Sequence, residues 1–151
     1  MNQPQSTGGA GHAGRGLLVA ALAAYTVFVL VMTLTPRGVG DGVLTRWVKN
    51  VLDDLHARGI ALWVDFLTIE FIANIMMFVP LGLLTALVLD RRRWWLLLVV
   101  GTAFSCFIEL WQLVFLPERF PDWRDLVSNT IGFLIGAGVG VLIRRRARIR
   151  A

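Results

Sequence analysis

The stretch WWLLLVVGTAFSCFIELWQLVFL, Trp94 to Leu116, is apolar but for a few positions, and two of these, Glu109 and Gln112, are strongly polar. It is long enough to cross about 30 Å of hydrocarbon, which takes roughly 20 residues. A carboxylate at that depth costs roughly 2.5–3.5 kcal/mol on insertion scales, so it is tolerated only where it faces protein or water. Glu109 therefore marks both the fold, a membrane bundle, and the place within it to look for function.

Three more apolar stretches have comparable length: Leu17–Thr35, Glu70–Leu89 and Leu126–Ile143. The chain has 151 residues, 56% of them hydrophobic, with a mean hydropathy of +0.67. That is too apolar for an ordinary soluble domain and leaves no room for a separate one. The expectation is all-α: four transmembrane helices in residues 17–143, between a disordered tail (1–16) and a basic tail (144–151). The first stretch exceeds a signal-peptide core, and Thr33-Leu34-Thr35-Pro36-Arg37 offers no small-x-small cleavage site, so it reads as a retained span.

Charge gives the orientation. Four spans put the N-terminal tail, the Asp90–Arg93 turn and the C-terminus on one side. That side carries Arg15, Arg91, Arg92, Arg93, Arg144, Arg145, Arg146, Arg148 and Arg150, nine of the fifteen basic residues. The positive-inside rule predicts a bacterial-type plasma-membrane protein with both termini cytoplasmic. The basic C-terminus reads as a topology anchor meeting anionic lipid rather than as a nucleic-acid site. In this frame Glu109 lies about 22 Å along its helix from Trp94, in the outer third of the bilayer.

The first external loop contains a further helical pattern. Leu44, Trp47, Val48, Val51, Leu52 and Leu55 share one face, while Arg46, Lys49, Asn50, Asp53 and Asp54 take the other. This reads as an amphipathic helix in the headgroup layer, or as a lid on the bundle. Ile60–Ile69 is expected to form a re-entrant lead-in to the second span, with His56 in a loop. Cys106 is a single cysteine inside a span and reads as a small core residue. With no Cys/His cluster, no zinc site, metal or cofactor is expected, and a divalent cation bridging the carboxylates is the weaker alternative.

Polar residues recur at helical spacing on three spans. Ser105, Glu109 and Gln112 share a face; so do Glu70 and Asn74; and Asp122, Asp125, Asn129, Gly132, Gly136 and Gly140 form a stripe. The glycines make a small-xxx-small groove for a neighbouring helix, and a second copy of the chain, forming a homodimer, is one partner that face could take. Lipid offers no hydrogen-bond partners, so an inward-facing polar pocket is the economical arrangement. Each residue also has a structural reading. Asp122 would cap the fourth helix, Asn74 and Asn129 would bond helix to helix, and Pro80 and Gly82 would kink the second.

The ordered set Asn74-Ile-Met-Met-Phe-Val-Pro80-Leu-Gly82, Glu109-Leu-Trp-Gln112, Arg119-Phe-Pro-Asp122-Trp-Arg-Asp125 and Asn129-Thr-Ile-Gly132 resembles the VanZ-like family. The resemblance covers about Thr33 to Gly140. It implies a small bacterial membrane protein of the kind named for a teicoplanin-resistance accessory protein. It also implies a ligand-binding site at Asn74, Glu109, Gln112, Arg119, Asp122, Asp125 and Asn129. Together these suggest binding or modification of a cell-envelope amphiphile, such as a lipid-linked cell-wall intermediate or a lipophilic glycopeptide. Glu109 or Asp125 would act as general acid or base if there is catalysis, and Arg119 would hold a phosphate or carboxylate. No nucleophile elbow, metal triad or phosphate loop selects a reaction. The alternatives are a small proton-coupled transporter or exporter using Glu109, and a structural scaffold.

Overall fold

A computed structural model describes residues 8–35, 43–89, 94–116 and 122–149, and the elements among them are all helical. They are α1 (Gly8–Leu34), α2 (Val43–Ala57), α3 (Phe66–Val88), α4 (Trp94–Phe115) and α5 (Trp123–Ile149). Four contain a segment long and apolar enough to cross a membrane: Ala13–Leu34, Phe66–Val88, Trp95–Phe115 and Trp123–Ala147. The protein is thus a multi-pass helical membrane bundle.

Element boundaries depart from the sequence expectation in instructive ways. Helix α1 begins at Gly8, inside the stretch expected to be disordered. Helix α5 likewise runs to Ile149 through the arginines expected to form a tail. The spans of α3 and α5 start earlier than Glu70 and Leu126, at Phe66 and Trp123. An aspartate precedes each of these residues.

Asp65 caps α3, its Oδ1 accepting from the Thr68 amide at 2.7 Å and the Thr68 hydroxyl at 2.6 Å. Asp122 does the same for α5, accepting from the Arg124 amide at 2.9 Å. Each places a carboxylate at the positive end of a helix dipole. The re-entrant lead-in is not formed. Instead, Arg58 to Val64 make tight turns through Gly59 (φ 74°) and Ala61 (φ 52°). His56 organises them: it lies in the last turn of α2 rather than in a loop. Its Nε2 reaches the carbonyls of Val64 at 2.9 Å and Ala61 at 3.2 Å.

The dominant packing is between α3 and α5, which run parallel. Gly132 meets the Ile75 carbonyl, Gly136 that of Val79 and Gly140 that of Leu83, each pair four residues on from the last in both helices. Gly82 returns the contact from α3, against the Phe133 carbonyl. A Cβ at Gly136 would lie 1.8 Å from the Val79 oxygen, and one at Gly82 would lie 1.9 Å from that of Phe133. This is the small-xxx-small groove expected from the sequence, occupied by α3 of the same chain. The glycine face thus has a helix partner within the chain. It also gives Gly82 a packing role rather than a kinking one.

The Phe133 ring fills the centre. It lies over Gly101 of α4, and with Val29, Phe78, Leu81, Ala86, Leu97, Ile108 and Ala137 it forms the buried core. Two polar ties support α3. Tyr25 of α1 donates to the Met77 carbonyl at 3.0 Å, in the turn that Pro80 loosens by removing a backbone donor. Arg144 of α5 donates to the carbonyls of Leu87 and Leu89 at the C-terminus of α3. A cation there meets orphan carbonyls and the negative end of the dipole.

The amphipathic helix α2 is present and lies lightly on the bundle. Leu52 is buried and Lys49 sits 4.9 Å above the Phe66 ring, while Trp47 stays 60% exposed. An exposed indole on the apolar face of such a helix suits the headgroup layer better than a closed lid.

Candidate functional site

The polar residues of three spans meet at one end of the bundle. Asn74 lies about 12 Å along α3 from its start and Asp125 in the first turn of α5. The Asn74 amide donates to Asp125 Oδ1 at 2.8 Å, a bond between side chains 51 positions apart. One turn further along α5, Asn129 is 3% exposed, and its Oδ1 has no hydrogen-bond partner among the described residues. A buried acceptor at bilayer depth is costly when unmet, by several kcal/mol. Among the described residues nothing supplies that donor.

Helix α4 completes the cluster from the antiparallel direction. Ser105 is fully buried and donates to the Leu126 carbonyl of α5 at 3.4 Å. Gln112 is 2% exposed and donates to the Thr33 carbonyl of α1 at 2.9 Å. Glu109 lies between them on the same face, half-buried, with Oε1 cut off from solvent. Thr33 itself is buried and bonds back to the Val29 carbonyl at 2.8 Å. Glu70 is half-buried one turn from Asn74 on α3.

Several predicted site residues are therefore already committed to packing. The Gln112 amide spans α4 to α1, Ser105 spans α4 to α5, and Asp122 caps α5. A ligand would have to displace Gln112 from Thr33 to use that amide. Asn74 and Asp125 are brought together as the sequence pattern anticipates, and Asn129 and Glu109 flank them in depth along α5 and α4. Arg119 lies outside the described residues.

A second polar feature was missed by sequence reasoning. At the heads of α3 and α5 a cleft of about 320 Å³ is lined by Asp65, Leu67, Thr68, Phe71, Trp123 and Arg124. Bonding with the Thr68 hydroxyl holds the Asp65 carboxyl below its ordinary value of 3.8, with the Thr68 amide and the Arg124 charge adding to the effect. The signal was available in Asp65-x-x-Thr68 and in Asp122-x-Arg124, aspartates directly before apolar runs, which are helix starts as well as charges.

Comparison with curated proteins and with solved structures finds no match. A family model described as VanZ/LLP1 matches residues 18–144, which take in the two middle spans whole and most of the first and last. The chain belongs to the VanZ/LLP1 family.

Proposed function

We propose that this protein binds or modifies a cell-envelope amphiphile or a lipophilic glycopeptide at the polar cluster of α3, α4 and α5. On this reading, its expression lowers susceptibility to teicoplanin. The cluster faces the outer leaflet, with both termini in the cytoplasm of a bacterial cell, as the arginine distribution favours. One observation carries the reading: the buried acceptor of Asn129, one turn below the Asn74–Asp125 pair, in a region where lipid supplies no donors. A ligand amide or hydroxyl entering from the headgroup side would meet it. Asp125 and Glu109 are the acid–base candidates if the ligand is modified rather than held.

Transport is the poorer reading. The inner half of the α3–α5 seam is closed by Leu81, Gly82, Ala86, Phe133, Gly136, Ala137 and Gly140. Its buried hydroxyl, Thr85, is spent on the Leu81 carbonyl at 2.7 Å. Among the described residues, no polar path continues along that seam from Asn129 toward the other face.

The test is teicoplanin susceptibility of a sensitive bacterium expressing the chain or Glu109→Gln at matched membrane levels. The expected result is lowered susceptibility with wild type and its loss with the variant. Unchanged susceptibility with wild type, or equal protection by both, would contradict the proposal.

A further inference from the structure

The cleft between the heads of α3 and α5 uses none of the clustered side chains above, and it carries charges of both signs. Asp65 and Arg124 are exposed, and both line the cleft. Both Thr68 bonds end on Oδ1 of Asp65, and Oδ2 takes neither. At about 320 Å³ the cleft falls within the range of small-molecule pockets, about 300–1,000 Å³.

Its position narrows the ligand. Both lining helices enter their spans here, at Phe66 and Trp123, so the cleft sits at the boundary between hydrocarbon and water. Trp123 is 70% exposed, which suits an indole anchored among headgroups. Leu67 and Phe71, one turn apart, extend the lining from the charged mouth down into the apolar span. A ligand fitting all three features has an anion, a cation close to it and an aliphatic chain.

We propose that the cleft binds a phospholipid whose headgroup joins a phosphate to a primary ammonium, with the phosphate on Arg124, the ammonium on Asp65 and an acyl chain along Leu67 and Phe71. A guanidinium favours phosphate through charge-assisted bonds. A primary ammonium brings three donors to a carboxylate, whereas a quaternary ammonium brings none. The ethanolamine type is therefore selected over the choline type, and over an anionic headgroup that Asp65 repels.

The experiment is native mass spectrometry of the full chain after exposure to equimolar phosphatidylethanolamine, phosphatidylglycerol and phosphatidylcholine with identical acyl chains. Wild type should retain the ethanolamine lipid about tenfold over either other lipid, the ratio that losing one charge-assisted contact removes. Asp65→Asn keeps a capping side chain and should lose that preference over phosphatidylglycerol while still retaining lipid. Arg124→Gln should weaken retention of all three phospholipids, and Arg124→Lys should restore it. Matching thermal unfolding of each variant separates binding from misfolding. Lack of an ethanolamine preference in wild type, or a preference indifferent to Asp65→Asn, would overturn the proposal. Complete displacement by equimolar soluble phosphoethanolamine would overturn the lipid assignment in favour of a water-soluble zwitterion.

Discussion

Replacing Gly136 by alanine puts a methyl group where α3 and α5 have no space. The new Cβ would lie 1.8 Å from the Val79 oxygen and 2.8 Å from the Leu83 nitrogen, against an ordinary contact of 3.4–4 Å. Both neighbours are backbone, so no side chain can swing aside, and the helices must part by more than an ångström. Separation at one register also loosens Gly132 against Ile75 and Gly140 against Leu83, because the three contacts lie on one straight seam. Overpacking of this kind costs about 1–3 kcal/mol, and the upper end is expected where backbone is struck. Gly138 is the internal control. It lies on the same helix, and a Cβ added there would meet nothing within 4 Å. Alanine at Gly138 should be neutral or stabilising by up to about 1 kcal/mol through helix propensity. Thermal or denaturant unfolding in detergent, followed by circular dichroism, reads both. If Gly136→Ala is as stable as Gly138→Ala, the close parallel seam does not exist as described.

Further variants test the polar ties. Asn74→Ala should cost about 1 kcal/mol in detergent unfolding. A double-mutant cycle with Asp125→Ala should show coupling of about 0.6–1.7 kcal/mol, the range for membrane interhelical bonds. Arg144→Gln removes a charged donor from two carbonyls at the end of α3 and should destabilise by about 1.5–3 kcal/mol, with Arg144→Lys in between. Tyr25→Phe should cost about 0.5–1.5 kcal/mol, read in the same unfolding assay. For acid stability the sign follows from Asp65. Its folded-state carboxyl is held below the ordinary 3.8, so its contribution is present above that value and lost as pH falls through the folded-state value. Asp65→Asn should flatten that part of the acid limb and lower neutral-pH stability by the contribution that the wild type loses in acid.

Much of this fold was legible because bilayer physics writes it in long apolar runs. The four spans, the amphipathic α2 and the convergence of Asn74, Ser105 and Asp125 all follow from length and from helical spacing. The glycine stripe told that a helix packs there but not which one. A small-xxx-small face fits α3 of the same chain as well as another copy, and the matching carbonyls of Ile75, Val79 and Leu83 are what identify α3. Gln112 read as a site residue because a buried amide needs a partner, and the partner turned out to be a backbone carbonyl at Thr33, which no pattern marks. The roles of Arg144 and His56 were hidden for the same reason: both bind main-chain oxygens left over by helix ends and turns. The cleft at Asp65 and Arg124 was overlooked because residues before Glu70 were read as a lead-in, when they were already the capped first turn of α3.

The most direct test of the central claim is binding of teicoplanin, and of a lipid-linked cell-wall precursor, to the purified chain in lipid nanodiscs. Wild type would be compared with Asn129→Leu and Glu109→Gln variants whose unfolding matches it. Saturable binding of at least one of these amphiphiles by wild type, weakened in both variants, is the predicted result. Binding that is absent from wild type, or unchanged in both well-folded variants, would contradict it.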